Sequence, residues 1–307
     1  MVKPGLRRDL VWRLEAAGFA LFIGLMRLIG LEAASAFGGG LLRALGPRTG
    51  THRTVIGNLQ LAFPEMDPEA RETLARDAWE QTGRTFAETA VMDRLTPASG
   101  RIEIEGLERL YAVRDSGRPV VFVSGHLANF EVMPACILAA GVPCQITYRA
   151  ANNPYVDAQI RAARARYGVR LFAPKGADGA REMLAGMARG ESVALMNDQK
   201  FSEGPEVEFF GHPVNAAPGP TRLALKHGTV LQPMSVQRLP GVRFRLTVHE
   251  PIPVGGSGDR AEDIRRGVQA VTRFVEDRVR EAPADWFWVH RRWPDRVYAC
   301  LTEISPD

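Results

Sequence analysis

The chain has 307 residues, 45% hydrophobic and 24% charged, with a formal net charge of +4. That balance is ordinary for a globular protein, and the length suits one large α/β domain or two smaller ones. Three cysteines, Cys136, Cys144 and Cys300, cannot all pair and have no metal-ligand spacing, which excludes a disulfide framework and fits a reducing compartment. The mild positive charge accommodates an anionic lipid surface or an acidic carrier protein. No recognised nucleic-acid module is present, so nucleic acid is not an expected partner.

Residues 1–46 stand apart from the rest of the chain. Lys3, Arg7 and Arg8 precede an apolar, acid-poor stretch whose longest run without a charge, residues 16–26, stops before Arg27. A span needs roughly 20 apolar residues, and no small-residue cleavage site succeeds a clean apolar core as in a signal peptide. The segment therefore predicts an amphipathic or shallowly inserted helix on the cytoplasmic membrane face, with Trp12 near the interface. A single tilted span ending near Arg27 and a core helix of the soluble domain are the alternatives. Residues 47–307 carry no repeat or low-complexity linker and read as one catalytic domain.

Residues 51–95 have helical spacing. Asp67 followed by Pro68 is a sound helix start, and Arg84 and Glu88 read as an exposed pair four residues apart. From Arg101 strands and helices alternate: strands at 102–106, 119–125, 143–149, 169–173 and 192–198, with helical stretches between them. This predicts an α/β fold with a largely parallel or mixed central sheet and helices on both faces. A long loop, 199–220, precedes a helix at 221–227, strands at 230–237 and 243–248, and a helix at 262–280. In the tail ADWFWVHRRWPDRVY, Trp286 and Trp288 alternate into a core. With Trp293, Arg291 and Arg292 the tail also suits a membrane interface or an acidic carrier protein.

The chemistry centres on residues 120–132, VVFVSGHLANFEV. The apolar run does not alternate, so it reads as a strand buried on both faces. His126 stands at its carboxyl end, after a glycine that permits a sharp turn, where ligands of open α/β sheets bind. His126 and Glu131 read as a general base and its orienting carboxylate. Five residues of regular helix would hold the two side chains about 140° apart, so His126 must sit on the turn before the helix that carries Glu131. The same turn would offer helix N-terminal N–H groups to a developing oxyanion. On these residues alone, a satisfied loop histidine and a solvated glutamate fit equally well. No H-E-x-x-H, G-x-S-x-G or Walker A pattern occurs, and neither Cys136 nor Cys144 lies beside a histidine in sequence.

GHLANFE resembles the H-x-x-x-x-[DE] motif of glycerolipid acyltransferases. More closely it resembles the G-H-x-x-N-[WF]-E form of the lipid A biosynthesis (lauroyl/myristoyl) acyltransferases of Gram-negative bacteria. In the same order, TYRAANNPYVD is similar to that family's Y-R-x-x-x-N-P segment and RARYG to its R-x-x-x-G. MNDQK is similar to its D-Q segment, EFFG to its F-F-G loop, and DWFWVHRRW to its closing W-x-W-x-H-x-R-W. The resemblance runs from Asn58 to Trp293.

It implies transfer of a fatty acyl group from an acyl carrier protein thioester to a hydroxyl of a lipid A precursor, at the cytoplasmic face of the bacterial inner membrane. Neither metal, cofactor nor acyl-enzyme is implied. His126 would be the base and Glu131 its partner. Asn129 would orient the loop or a substrate, and Arg149 and Arg164 would contact acceptor phosphate or the oxyanion. Asp198 would bind the acceptor or order the arginines. Two departures, Ala216 where many members carry Thr and Lys200 in place of an acid, would tune the acceptor. The alternatives are O-acylation of another membrane lipid (a lysophospholipid, ornithine-type lipid or glycolipid) and a non-catalytic, membrane-attached lipid-binding role.

Overall fold

A computed structural model describes residues 6–148, 150–169, 172–174 and 177–304. Two helices open the chain, α1 (Leu6–Ile29) and α2 (Leu31–Leu45), separated at Gly30, whose φ of 86° few other residues adopt. Next come α3 (Thr51–Ala62) and α4 (Pro68–Glu88). The start of α4 is the expected cap: the Asp67 carboxylate accepts the Ala70 N–H at 2.9 Å, with Pro68 in the first turn.

The α/β portion runs β1 (Ile102–Glu105), α5 (Leu107–Ser116), β2 (Val121–Ser124), α6 (Val132–Ala139), β3 (Cys144–Tyr148) and α7 (Pro154–Ala165). It continues with β4 (Phe172–Pro174), α8 (Ala177–Ala188), β5 (Ser192–Met196), β6 (Glu206–Phe209), β7 (His212–Asn215) and α9 (Gly219–His227). Strands β8 (Leu231–Leu239) and β9 (Arg243–Val248) and helices α10 (Arg260–Glu281) and α11 (Asp295–Ile304) complete it. The main sheet has the order β1-β9-β8-β2-β5-β3-β4. Every neighbouring pair is parallel except β8 with β9. The expected class, a largely parallel sheet flanked by helices, is the one observed.

Strand β2 lies inside this sheet and is buried on both faces, as its unalternating run predicts. Val120 and Phe122 enter a core with Val132 and Met133 of α6 and with Met26 and Ala34 of the first two helices. Val121 and Val123 enter another with Met187, Ala224 and Val271, from α8, α9 and α10.

The stretch 199–220, expected as a loop, contains the antiparallel hairpin β6–β7. Its two turn residues, Phe210 and Gly211, have φ of 51° and 73°, the geometry that matches strand twist in two-residue hairpin turns. Asparagine or aspartate is the usual first residue there, so Phe210 hides the turn signal. Val207, Phe209 and Val214 face inward to a third core with Trp286, Trp288 and Trp293, all three at most 3% exposed. That burial withdraws these tryptophans from a membrane interface. Asn58, fully buried, holds the tail by donating to the Trp288 carbonyl at 2.6 Å and the His290 carbonyl at 2.8 Å.

No described helix is long and apolar enough to cross a membrane. Helix α1 instead has two faces. Ala16 and Met26 are buried, while Leu10, Leu14, Leu21, Leu25 and Leu28 are exposed, and Phe37, Leu41 and Leu45 extend the exposed apolar surface along α2. Helix α2 crosses α4 at two glycines: a Cβ on Gly83 would lie 2.1 Å from the Gly38 carbonyl oxygen. Gly83→Ala is therefore expected to destabilise the protein by about 1–3 kcal/mol through overpacking, read as a lower thermal midpoint. Gly40→Ala, where a Cβ meets nothing within 4 Å, should leave the midpoint unchanged or raise it.

Candidate active site

Strand register brings the first two groups together. Ser124 of β2 pairs with Met196 of β5, and two residues beyond each lie His126 and Asp198. His126 Nδ1 is 2.7 Å from Asp198 Oδ1, and the His126 backbone N–H donates to Oδ2 at 2.7 Å. The Trp286 indole N–H donates to the same Oδ2 at 2.8 Å. Gly125 makes room: a Cβ there would be 3.2 Å from Asp198 Oδ2 and 3.1 Å from Val275. The tail also fixes the loop backbone, since the Phe287 N–H donates to the His126 carbonyl at 3.1 Å and the Ala128 N–H to the Asp285 carbonyl at 2.7 Å. Ala128 is held at a φ of 45°, a conformation non-glycine residues rarely adopt.

His126 sits on the turn, outside α6, as the spacing requires. The expected His126–Glu131 pair, however, is replaced. The carboxylate on Nδ1 is Asp198, and Glu131, just ahead of α6, turns to α7. It takes a two-pronged ion pair from Arg164, with Nε at 3.2 Å and Nη2 closer, and a hydrogen bond from the Tyr167 hydroxyl. The reason is geometric: the loop reverses at Ala128 and Asn129, so Glu131 faces the next helix while His126 faces the neighbouring strand end.

Asn129 is fully buried. Its side-chain N–H donates to Glu88 at 2.9 Å and its carbonyl oxygen accepts the Glu131 N–H at 3.2 Å, which makes it a brace of the loop. The Val132 and Met133 N–H groups are taken by the Asn129 and Phe130 carbonyls. The expected use of the α6 N-terminus for an oxyanion therefore loses its donors at Glu131, Val132 and Met133. Arg149 lies outside the described residues.

His126, Glu131, Arg164 and Gln199 line one cleft of about 450 Å³, with Phe130, Tyr148, Ile160, Met196 and His290. Phe130 meets the His126 ring edge-on at 4.9 Å between centroids. Behind the cleft lies a tight apolar pocket of about 50 Å³ under α6, lined by Phe122, Met133, Ile137, Ala194 and Met234 among others. The two share Pro134, Ile146, Thr147 and Met196 as walls. Of the two departures from the family pattern, Ala216 is buried in the tryptophan core and Lys200 lies 3.5 Å from Asp295 on the surface. Among the described residues, no group of three or more His, Cys, Asp or Glu is placed to hold a metal ion.

Sequence reasoning gives no chemical role to Tyr167, Trp286 or His290. Their signal lies inside the motif blocks, in RARYG and in DWFWVHRRW.

Charge in the cleft is set by burial and pairing. Burial opposes ionisation of Asp198, but the His126 charge and the hydrogen bonds from His126 and Trp286 outweigh it and bring its pKa to about 2. Burial and the Glu131 charge raise the Tyr167 phenol, so it stays a donor. Burial opposes the Arg164 charge, yet Glu131 outweighs it and raises the guanidinium. Burial and the His126 charge lower His290, which favours its neutral form.

Because Asp198 is depressed from 3.8, its contribution to stability is complete above that pH and is lost as pH falls toward 2. The stability gap between the wild type and Asp198→Asn should narrow by about 2 kcal/mol between about pH 5 and pH 2 in denaturant titrations. A gap constant with pH would contradict an ionised Asp198.

Residues 10–295 match the bacterial lipid A biosynthesis acyltransferase family. The chain is 23% identical over 248 residues to the lipid A biosynthesis palmitoleoyltransferase of Escherichia coli (strain K12), covering 78% of this chain and 77% of that protein. It is 25% identical over 254 residues to the lipid A biosynthesis lauroyltransferase of the same organism, covering 80% and 79%. It is 27% identical over 156 residues to the lipid A biosynthesis acyltransferase 2 of Shigella flexneri, covering 50% and 48%. A match over this much of the chain places the protein in the bacterial lipid A biosynthesis acyltransferase family, and it is an acyltransferase.

Proposed function

We propose that the protein transfers a fatty acyl group from an acyl carrier protein thioester to a hydroxyl of a lipid A precursor, with His126 as general base. The observation that carries this reading is the buried Asp198 on His126 Nδ1 at the wall of the cleft. A carboxylate there fixes the tautomer, directs Nε2 to the acceptor and stabilises the imidazolium that forms. Nε2 takes the hydroxyl proton and the oxygen attacks the thioester carbonyl. The tetrahedral intermediate then collapses with cleavage of the C–S bond, and the thiolate recovers the proton from the imidazolium. The products are the ester and the free carrier thiol.

Arg164 is the candidate for the oxyanion. Nε and Nη2 are spent on Glu131, and among the described residues no acceptor takes the Nη1 hydrogens. In this reading Glu131 aims and balances Arg164, Tyr167 fixes the Glu131 carboxylate by its hydrogen bond, and Asn129 braces the loop. At about 50 Å³, the apolar pocket behind the cleft has room for no more than the tip of an acyl chain. The exposed leucines of α1 and the apolar face of α2 support seating on the cytoplasmic face of the inner membrane, with residues 1–46 as the attachment and 47–307 as the catalytic part.

Purified wild type, given acyl carrier protein thioesters and a panel of lipid acceptors, is expected to acylate a lipid A precursor. His126→Ala and Asp198→Asn should each lower kcat by about 10³- to 10⁴-fold, the scale on which an imidazole–carboxylate couple acts in hydroxyl attack. Absence of transfer by wild type to every acceptor would end the enzymatic reading, and an active His126→Ala would end the base assignment. Separately, Leu14→Glu/Leu21→Glu/Leu28→Glu should shift the protein from the pellet to the supernatant in sedimentation with anionic phospholipid vesicles, while its thermal midpoint holds. Unchanged pelleting would remove α1 from the membrane contact.

A further inference from the structure

Glu88 reads in sequence as an exposed partner of Arg84. Arg84 instead pairs with Glu80, and Glu88 is fully buried against Arg238, whose side chain is 5% exposed. Its carboxylate accepts from Arg238 Nη1 at 2.6 Å and Nη2 at 2.9 Å, from the Ser35 hydroxyl at 2.6 Å, and from Asn129 at 2.9 Å. A buried ion pair is weak evidence for stability, because desolvation consumes most of the attraction. What this pair touches is more informative.

From Glu88, Asn129 leads to the Glu131 backbone N–H. From Arg238, the backbone N–H donates to the Asp285 carboxylate at 3.0 Å. The Asp285 carbonyl accepts from Ala128, and the next residue, Trp286, donates to Asp198. The Thr85 hydroxyl, one turn before Glu88, donates to the Ala128 carbonyl at 3.1 Å. The Glu131 end of the segment 126–131 is thus tied to the pair's carboxylate, the reversal at Ala128 to Thr85, whose hydroxyl lies 3.5 Å from Arg238 Nη2, and the His126 end to the backbone of the strand that carries Arg238. Ser35 ties α2 to the pair as well.

We propose that Glu88 and Arg238 are positioning residues for acyl transfer: their ion pair sets the His126–Asp198 couple and the Glu131–Arg164 couple at a fixed separation across the cleft. This rests on the reading of His126 as the base. Neither residue lines the cleft, so substrate affinity does not depend on them directly.

The test is the paired swap Glu88→Met/Arg238→Met, which removes both charges together and leaves no unpaired ion, assayed beside wild type. The expected result is a thermal midpoint within about 5 °C of wild type and a KM for the acyl donor within about twofold. With these, kcat should fall on the order of 100-fold, as for a displaced catalytic group. The acidic limb of the kcat/KM–pH profile should also move to lower pH, because an imidazole less tightly held by Asp198 is a weaker base. If the paired swap does not fold, Arg238→Lys takes its place: it keeps the charge and loses the two-pronged contact, and the same fall in kcat with unchanged KM is expected. Wild-type kcat and an unmoved limb in a folded variant would overturn the positioning role. An inactive wild type would overturn the acyl-transfer reading itself, so the two failures are told apart.

Discussion

The site depends on the pairing of β2 with β5. Val121 lies opposite Val193, and each later pair keeps the same offset of 72 residues through Ser124 and Met196. His126 and Asp198 are separated by the same 72, so their contact continues the ladder past the point where backbone pairing stops. Backbone bonds hold the extension: the Asn197 N–H donates to the Ser124 carbonyl at 2.9 Å, and the His126 N–H is held by the very carboxylate that holds its ring. Parallel strands occur almost only in sheets covered on both faces, and here α6 on one side and α8 to α10 on the other cover the apolar run of β2 that leads to the dyad.

Three buried carboxylates surround the loop, and each is saturated by donors. Asp198 receives the His126 amide, the imidazole and an indole. Glu131 receives two guanidinium contacts and a phenol. Glu88 receives two guanidinium contacts, a hydroxyl and an amide. Ionised groups survive burial only when satisfied in this way. Saturation alone therefore does not mark a catalytic group. Access does: Glu131 lines the cleft directly and Asp198 reaches it through the exposed part of the imidazole, while Glu88 lies at no exposure behind the loop.

Much of this was legible in the chain. The strand that precedes His126, the glycine before it, the Asp67 cap and the alternation of elements are local, and local chemistry decides them. Partner choice was not legible. Glu131 is five residues from His126 and looked like its partner, but the partner is Asp198, and only strand order brings residues 72 apart together. Asp198 was visible as a strand-end acid whose neighbour could not be named. Glu88 looked exposed because helical spacing offered Arg84, and its burial is decided by β8, contributed 150 residues later. The β6–β7 hairpin went unseen because Phe210 stands where a turn usually carries a small polar residue.

The loop has consequences for where negative charge can be stabilised. Oxyanion sites are commonly built from backbone N–H groups at a helix start, but here the amides of His126, Leu127, Ala128, Glu131, Val132 and Met133 are engaged in holding the loop itself. Arg164, the cation among the described residues of the cleft and already oriented by Glu131, is then the side-chain donor suited to the oxyanion. Before reaction, in the proposed mechanism, the four described groups His126, Asp198, Glu131 and Arg164 together carry one net negative charge, on the side of the neutral imidazole and Asp198. Proton transfer converts that couple to a neutral imidazolium–carboxylate pair, and the negative charge reappears on the tetrahedral oxygen between the imidazolium and the guanidinium. The total charge never changes; it moves across the cleft, from a carboxylate held by hydrogen bonds to an oxygen facing Arg164. Such a transfer is efficient only if the two couples keep their separation while the charge moves, which places the demand for rigidity on the residues behind the loop rather than on those that touch the substrate.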